Sequence, residues 1–195
     1  WVALAWVAVL LSLLARPLQN HEWVLRLSTL FGVLYVPFLL GFLVILASEP
    51  QGLWAALWVV VATKFTDVGG LLFGVPFGKH KIAPTISPAK SWEGCAGGLA
   101  CSALASGLYA WLMRDACGIT FMVPWKAAVL ALPIAVLSIP SDLVESVFKR
   151  LAGAKDSGAT IPGIGGALDL IDSMVLTSPV ALILLSYFLD WAKRG

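Results

Sequence analysis

Long blocks of apolar residues, separated by short polar stretches, run the length of this chain. A helix that crosses a bilayer needs about 20 mostly apolar residues. About six blocks approach that length, at 1–15 (cut short by the start of the chain), 27–48, 52–73, 94–113, 124–148 and 171–191. Backbone N–H and C=O groups cannot be left bare in lipid, so each block is predicted to be helical. The expected fold class is all-α: a polytopic transmembrane helical bundle of about six spans, forming a single membrane domain over 1–195. Trp1 already lies inside an apolar run, which reads as N-terminal truncation of a longer chain.

Composition agrees with this pattern. Of the 195 residues, 59% are hydrophobic and 12% charged, against about 25% charged in soluble domains. A net charge of +2 gives no reason to expect a nucleic-acid partner. Cys95, Cys101 and Cys117 have neither metal-site spacing nor a disulfide framework and read as core-filling thiols. With alternating spans, the connections fall into two sets. Arg16, Arg26, Lys79, Lys81, Lys90, Lys149, Arg150 and Lys155 lie in one; the other has Arg114 and Lys126, with Lys193 and Arg194 at the chain end. The richer set is expected on the cytoplasmic side. This places the polar connections 74–93 and 149–170 on the same face. Trp23 and Trp92 are expected near that interface, and Trp111, Trp125 and Trp191 near the other.

Ionisable residues within or at the ends of spans are costly and usually functional. They cluster between Asp142 and Asp172. Asp142, Glu145 and Lys149 share one helix face by their i, i+3, i+7 spacing. Arg150, Lys155-Asp156-Ser157-Gly158, the turn Pro162-Gly163-Ile164-Gly165-Gly166 and the pair Asp169 and Asp172 follow. Taken singly, these have bland readings: a Glu145–Lys149 helix ion pair, positive-inside cations, a flexible turn, carboxylates on a helix dipole. Together they are the parts for metal-assisted phosphoryl or nucleotidyl transfer. Mg²⁺ prefers carboxylate oxygens and bridges to phosphate, and cationic side chains neutralise phosphate oxygens.

A second polar stretch carries Thr66-Asp67, Gly78-Lys79-His80-Lys81 and Ser87-Pro88-Ala89-Lys90-Ser91-Trp92-Glu93-Gly94. Gly74 to Lys79 is not a P-loop, because its spacing is one residue short and no Ser or Thr follows the Lys. Gly94 and Gly98 form a small-xxx-small packing pattern. His80 reads as a solvated or headgroup-facing residue, and Lys64 and Asp67 can pair within their span.

The two stretches together, over about residues 60–180, resemble the phosphatidate cytidylyltransferase (CDP-diacylglycerol synthase) family. The resemblance rests on Ser146-Val147-Phe148-Lys149-Arg150, Lys155-Asp156-Ser157-Gly158, Pro162 to Gly166, Asp169-Leu170-Ile171-Asp172 and the upstream motifs just quoted. It implies transfer of a cytidylyl group from CTP to phosphatidic acid, releasing pyrophosphate, in phospholipid biosynthesis. Catalytic residues are then Asp142, Lys149, Arg150, Lys155, Asp156, Asp169 and Asp172. Substrate-binding residues are Asp67, Ser87, Lys90, Trp92, Glu93, Glu145 and Ser157. Asp142, Asp169 and Asp172 are the implied metal ligands. The cofactor is Mg²⁺, alone or with a second monovalent or divalent cation. The implied partners are CTP, phosphatidic acid and the lipid bilayer, with a homodimer left open, in a bacterial inner membrane.

The chain departs from the family pattern at Ile164, where the family has His, at Leu170, where it has Arg, and at Ser141, where Gly is usual. Leu170 removes a bidentate phosphate or carboxylate partner. A catalytically weakened relative, a CTP-dependent lipid kinase or transferase with another lipid substrate, and a non-catalytic membrane protein are the rival readings.

Overall fold

The computed structural model describes residues 37–84, 87–117, 123–151 and 173–188. The chain divides into compact units Trp1–Leu39 and Leu40–Gly195, and the architecture below is that of the second. The first expected span and residues 27–36 of the second lie outside the described residues.

The described residues of this unit, with those that lead into it, form five helices and a hairpin: α1 (Pro37–Ser48, entering the unit at Leu40), α2 (Gly52–Phe77), β1 (Lys81–Ala83), β2 (Ser87–Ser91), α3 (Trp92–Cys117), α4 (Pro124–Leu151) and α5 (Thr177–Phe188). A helical turn at 173–175 leads into α5. Within α2, α3 and α4, the stretches Gly52–Phe77, Trp92–Arg114 and Pro124–Val147 are long and apolar enough to cross a membrane. The bundle is therefore mostly helical, as expected, with three such spans among the described residues and shorter apolar helices at Pro37–Ser48 and Ser173–Tyr187. These helices show the spans of a lipid-embedded protein: large side chains such as Leu71, Val75, Leu104 and Tyr187 face outward, at 67%, 77%, 75% and 79% exposure, while small residues face inward.

The α1–α2 turn is tight. Gln51 takes a left-handed conformation (φ 58°), and Gly52 sits so close to the Leu46 carbonyl that a Cβ there would collide with it. Antiparallel α2 and α3 form the most intimate pair. A Cβ on Gly69 would lie 2.6 Å from Cys101 Cβ, and one on Gly94 would lie 2.8 Å from the Gly70 carbonyl oxygen. The missing side chains let the backbones approach, the usual basis of helix association in lipid. Hydroxyl groups fasten the same seam: Ser102 Oγ donates to the Ala62 carbonyl (2.7 Å) and Tyr109 Oη to the Trp54 carbonyl (2.9 Å). Trp58, Val59, Ala62, Ala131, Ile134, Ala181 and Leu185 are buried in the shared core of α2, α4 and α5.

The polar connection expected over 74–93 is shorter and more ordered than the sequence indicates. α2 continues through Pro76 to Phe77, and the remainder folds into a two-stranded antiparallel sheet pairing Lys81 with Ser91 and Ala83 with Ser87, with an irregular register between. Ser91 closes the hairpin and starts α3 by accepting a hydrogen bond from Gly94 N at 3.2 Å, a helix N-cap. α4 runs unbroken through Pro133 and Pro140. Although Pro140 removes a backbone donor, the helix resumes at once, and Ser141 Oγ accepts from Leu176 N at 3.3 Å, joining α4 to the entrance of α5.

Candidate active site

Strand β2, residues 66–71 of α2, the first turn of α3 and α4 on either side of Pro140 line a cavity of about 330 Å³. Asp67, Lys90 and Asp142 line it together, from α2, β2 and α4 respectively. Each comes from a different segment of sequence, and the close α2–α3 crossing brings them within one space. Leu71 and Ile139 give the cavity apolar lining beside the charges. Leu71 is 67% exposed on its outer side, so this lining is continuous with the lipid-facing surface of the bundle.

Lys90 Nζ lies 2.5 Å from Asp142 Oδ2 and donates to the Ile139 carbonyl at 3.1 Å. Both ionic side chains are mostly covered, at 21% and 25% exposure. Two charges withdrawn from water are tolerated only as a pair with further hydrogen bonds. Asp67 has a different counter-ion: Lys64 Nζ stands 3.4 Å from its Oδ2, one turn along α2, and also donates to Ser173 Oγ at 3.0 Å. The expected Lys64–Asp67 pairing is thus present, and Lys64 in addition bridges α2 to the residue that follows Asp172.

Other candidate residues lie elsewhere. Glu93 faces away from the cavity and receives the backbone N–H of His80 (3.2 Å), with its Oε1 2.6 Å from His80 Nδ1. It straps the end of α2 to the start of α3. His80 is 79% exposed, in keeping with a solvated or headgroup-facing residue. Trp92 is 65% exposed on the outside of α3, and Ser87 begins β2 away from the cavity lining. Glu145, one turn beyond Asp142, is buried inside the bundle at 7% exposure. Lys149 and Arg150 lie in the last turn of α4, with only their backbone described. Lys155, Asp156, Ser157, Asp169, Asp172, Ile164 and Leu170 fall outside the described residues.

Several lining residues were not among the site residues expected from sequence. Cys95, expected as a core-filling thiol, borders the cavity as a free cysteine. Thr66 lines it too, with its hydroxyl committed to the Ala62 carbonyl at 2.8 Å. The wall formed by Ile139 depends on helix packing and could not be found from local spacing.

Asp67 and Asp142 offer hard oxygen donors to one cavity. No group of three or more His, Cys, Asp or Glu side chains placed to hold a metal ion occurs among the described residues. Mg²⁺, however, is commonly held by one or two carboxylates, with substrate phosphates and water completing the shell. The donor set present fits such an ion.

The profile of the Cytidylyltransferase family matches residues 1–188. Among curated proteins, the chain is 38% identical over 159 residues to the phosphatidate cytidylyltransferase of Mycobacterium leprae, covering 82% of this chain and 49% of the relative. It is 37% identical over 156 residues to that of Staphylococcus haemolyticus, covering 80% and 57%. It is 34% identical over 187 residues to that of Haemophilus influenzae, covering 89% and 63%. The chain thus spans about half to just under two thirds of the length of these relatives.

Proposed function

Because the chain belongs to the Cytidylyltransferase family, we propose that it transfers a cytidylyl group from CTP to phosphatidic acid, forming CDP-diacylglycerol and pyrophosphate. The observation that carries this reading is the convergence of Asp67, Lys90 and Asp142 on a cavity whose apolar lining, at Leu71, continues onto the lipid-facing surface. A lipid phosphate whose acyl chains stay in the bilayer needs such a cavity. The names of the relatives from three bacterial genera support the same substrates.

In the reaction a phosphate oxygen of phosphatidic acid attacks the α-phosphorus of CTP. The new P–O bond forms as the bond between the α-phosphorus and the bridging oxygen breaks, and pyrophosphate leaves with the electron pair. The nucleophile belongs to the substrate, so the protein's work is positioning and charge neutralisation. Lys90 binds phosphate oxygens as a flexible point charge with three donors. Lys149, Arg150 and Lys155 are the further cations of the signature, expected on the phosphates of the nucleotide. Asp142, with Asp67 on the same cavity and Asp169 and Asp172 from the signature, would hold Mg²⁺. The ion, when bound, offsets charge on the triphosphate and on departing pyrophosphate. Leu71 and Ile139 exclude water from one side and receive the first methylenes of the lipid. The concentration of Lys and Arg on this face supports a site on the cytoplasmic side, where CTP is supplied, and the bacterial relatives are consistent with an inner membrane.

Full chain in detergent micelles, given Mg²⁺, CTP labelled at the α-phosphate and phosphatidic acid, is expected to yield labelled lipid and one pyrophosphate per lipid formed. Absence of labelled lipid under these conditions, with diacylglycerol or a polyprenol phosphorylated instead from CTP labelled at the γ-phosphate, overturns the substrate assignment.

A further inference from the structure

The two carboxylates on the cavity have counter-ions of different kinds. The cation facing Asp67 is Lys64, which is built into α2 and anchored to a second helix through Ser173. The cation facing Asp142 is Lys90, which comes from β2, outside the helical framework, on a short hairpin of irregular register. Its other hydrogen bond goes to one backbone carbonyl, that of Ile139. Lys64 is held by side chains of the framework; Lys90 reaches in from the edge on four rotatable carbons.

Resting on the cytidylyl-transfer reading, we propose that Lys90 is a placeholder cation: it occupies Asp142 in the resting protein and is exchanged for a divalent cation when substrate arrives. Asp142 gains a partner of twice the charge, and the released ammonium gains phosphate oxygens, which form shorter and stronger hydrogen bonds than a backbone carbonyl. Without the placeholder, Asp142 would be an uncompensated carboxylate in a mostly covered site, which is strongly unfavourable. The exchange also orders the reaction. Divalent metal competes with Lys90 until a phosphate draws the ammonium away, so metal and nucleotide favour each other's binding. Asp67 keeps its own counter-ion through the exchange, because Lys64 is tied to α5's entrance.

Binding of Mn²⁺ alone, followed by electron paramagnetic resonance on purified full chain without nucleotide, tests this directly. Lys90→Met is expected to bind Mn²⁺ about tenfold more tightly than the unmodified protein, the scale of coupling between two linked ligands. Its affinity for metal-free CTP is expected to fall in equilibrium dialysis with EDTA. Lys90→Arg keeps a cation on Asp142 and is expected to retain the unmodified Mn²⁺ affinity. In an Asp142→Asn background the Lys90→Met gain is expected to vanish. If Lys90→Met does not purify as a monodisperse species, Lys90→Gln carries the same expectation. Unchanged or weakened Mn²⁺ binding in a variant that unfolds at the unmodified temperature overturns the proposal. The labelled-CTP assay on the same preparations separates the two readings. Tighter Mn²⁺ binding without any CDP-lipid supports the exchange and removes the assigned reaction. CDP-lipid formation without tighter Mn²⁺ binding does the reverse.

Discussion

The Cβ that Gly98 lacks would stand 2.7 Å from the carbonyl oxygen of Thr66. A hydrogen is the largest group that fits where α3 crosses α2, and this crossing sets Lys90 and Asp67 on one cavity. Gly98→Leu is therefore expected to force the helices apart, at a cost of about 1–3 kcal/mol for an overpacked site. Thermal unfolding in detergent should show a lowered midpoint. Gly70→Ala is the control, since its Cβ would have no heavy atom nearer than 3.9 Å, and its midpoint is expected to stay within about 0.5 kcal/mol of the unmodified protein.

Asp142→Asn keeps the size of the side chain and a hydrogen-bonding partner for Lys90 but removes the charge. Turnover of CTP into lipid is expected to fall by about 10² or more, the scale of losing one electrostatic element of an active site. The unfolding midpoint should fall by the equivalent of about 1–3 kcal/mol, because the Lys90 ammonium keeps a hydrogen-bond partner but loses its counter-ion in a mostly covered site. A folded variant that retains full turnover would remove Asp142 from the reaction.

Lys64 is a span residue whose ammonium binds both Asp67 and Ser173. Lys64→Met is expected to destabilise the protein by about 1.5–3 kcal/mol, the range for hydrogen bonds to charged groups. Lys64→Arg should recover much of that loss. Ser173→Ala combined with Lys64→Met should cost less than the sum of the two single changes, because both remove the same bridge. Additive effects on the unfolding midpoint would show that the bridge carries no energy.

Trp92 and Trp111 are exposed near opposite ends of the apolar stretch of α3, at 65% and 55%. At 1.5 Å per residue they lie about 28 Å apart along the axis, close to the roughly 30 Å thickness of a bilayer's hydrocarbon core. Leu104, between them, is 75% exposed. A spin label at position 104 of a cysteine-free chain in lipid vesicles is expected to collide readily with oxygen and rarely with a water-soluble nickel complex. A label at position 92 should show the opposite preference. Equal access of the nickel complex to both sites would place α3 outside the bilayer.

Ile164 and Leu170 stand where the resembled signature has His and Arg. If those positions contact phosphate, Ile164→His with Leu170→Arg should raise turnover several-fold, chiefly through a lower KM for CTP, since Arg supplies two parallel donors to phosphate. Unchanged KM would mean that the site is complete without them.

Much of this protein could be read from sequence because lipid imposes a simple rule on it. Apolar blocks of span length must be helices, and three of them, at 52–73, 94–113 and 124–148, fall on helices long enough to cross a membrane, with ends displaced by only a few residues. The small-xxx-small pattern of Gly94 and Gly98 marked a packed face correctly. The spacing of Lys64 and Asp67 indicated their pairing. The Lys90 and Asp142 motifs could each be singled out by charge in an apolar context, since ionic groups there are expensive.

Sequence did not reveal which of these residues meet. Motif position placed Glu93 and Trp92 beside Lys90, yet a strand followed by a helix turns successive side chains in different directions. Glu93 straps His80, Trp92 faces outward and Lys90 alone of the three enters the cavity. The hairpin itself was invisible, because Ser87 to Ser91 has no apolar alternation and gains its order from pairing with β1 and capping α3. Local composition determined that this chain has membrane-spanning helices and carries charges at a cost only function repays. The packing of α2, α3 and α4 against one another, a property of facing surfaces rather than of any one segment, decided that Lys90 would lie on Asp142 and that Asp67 would share their cavity.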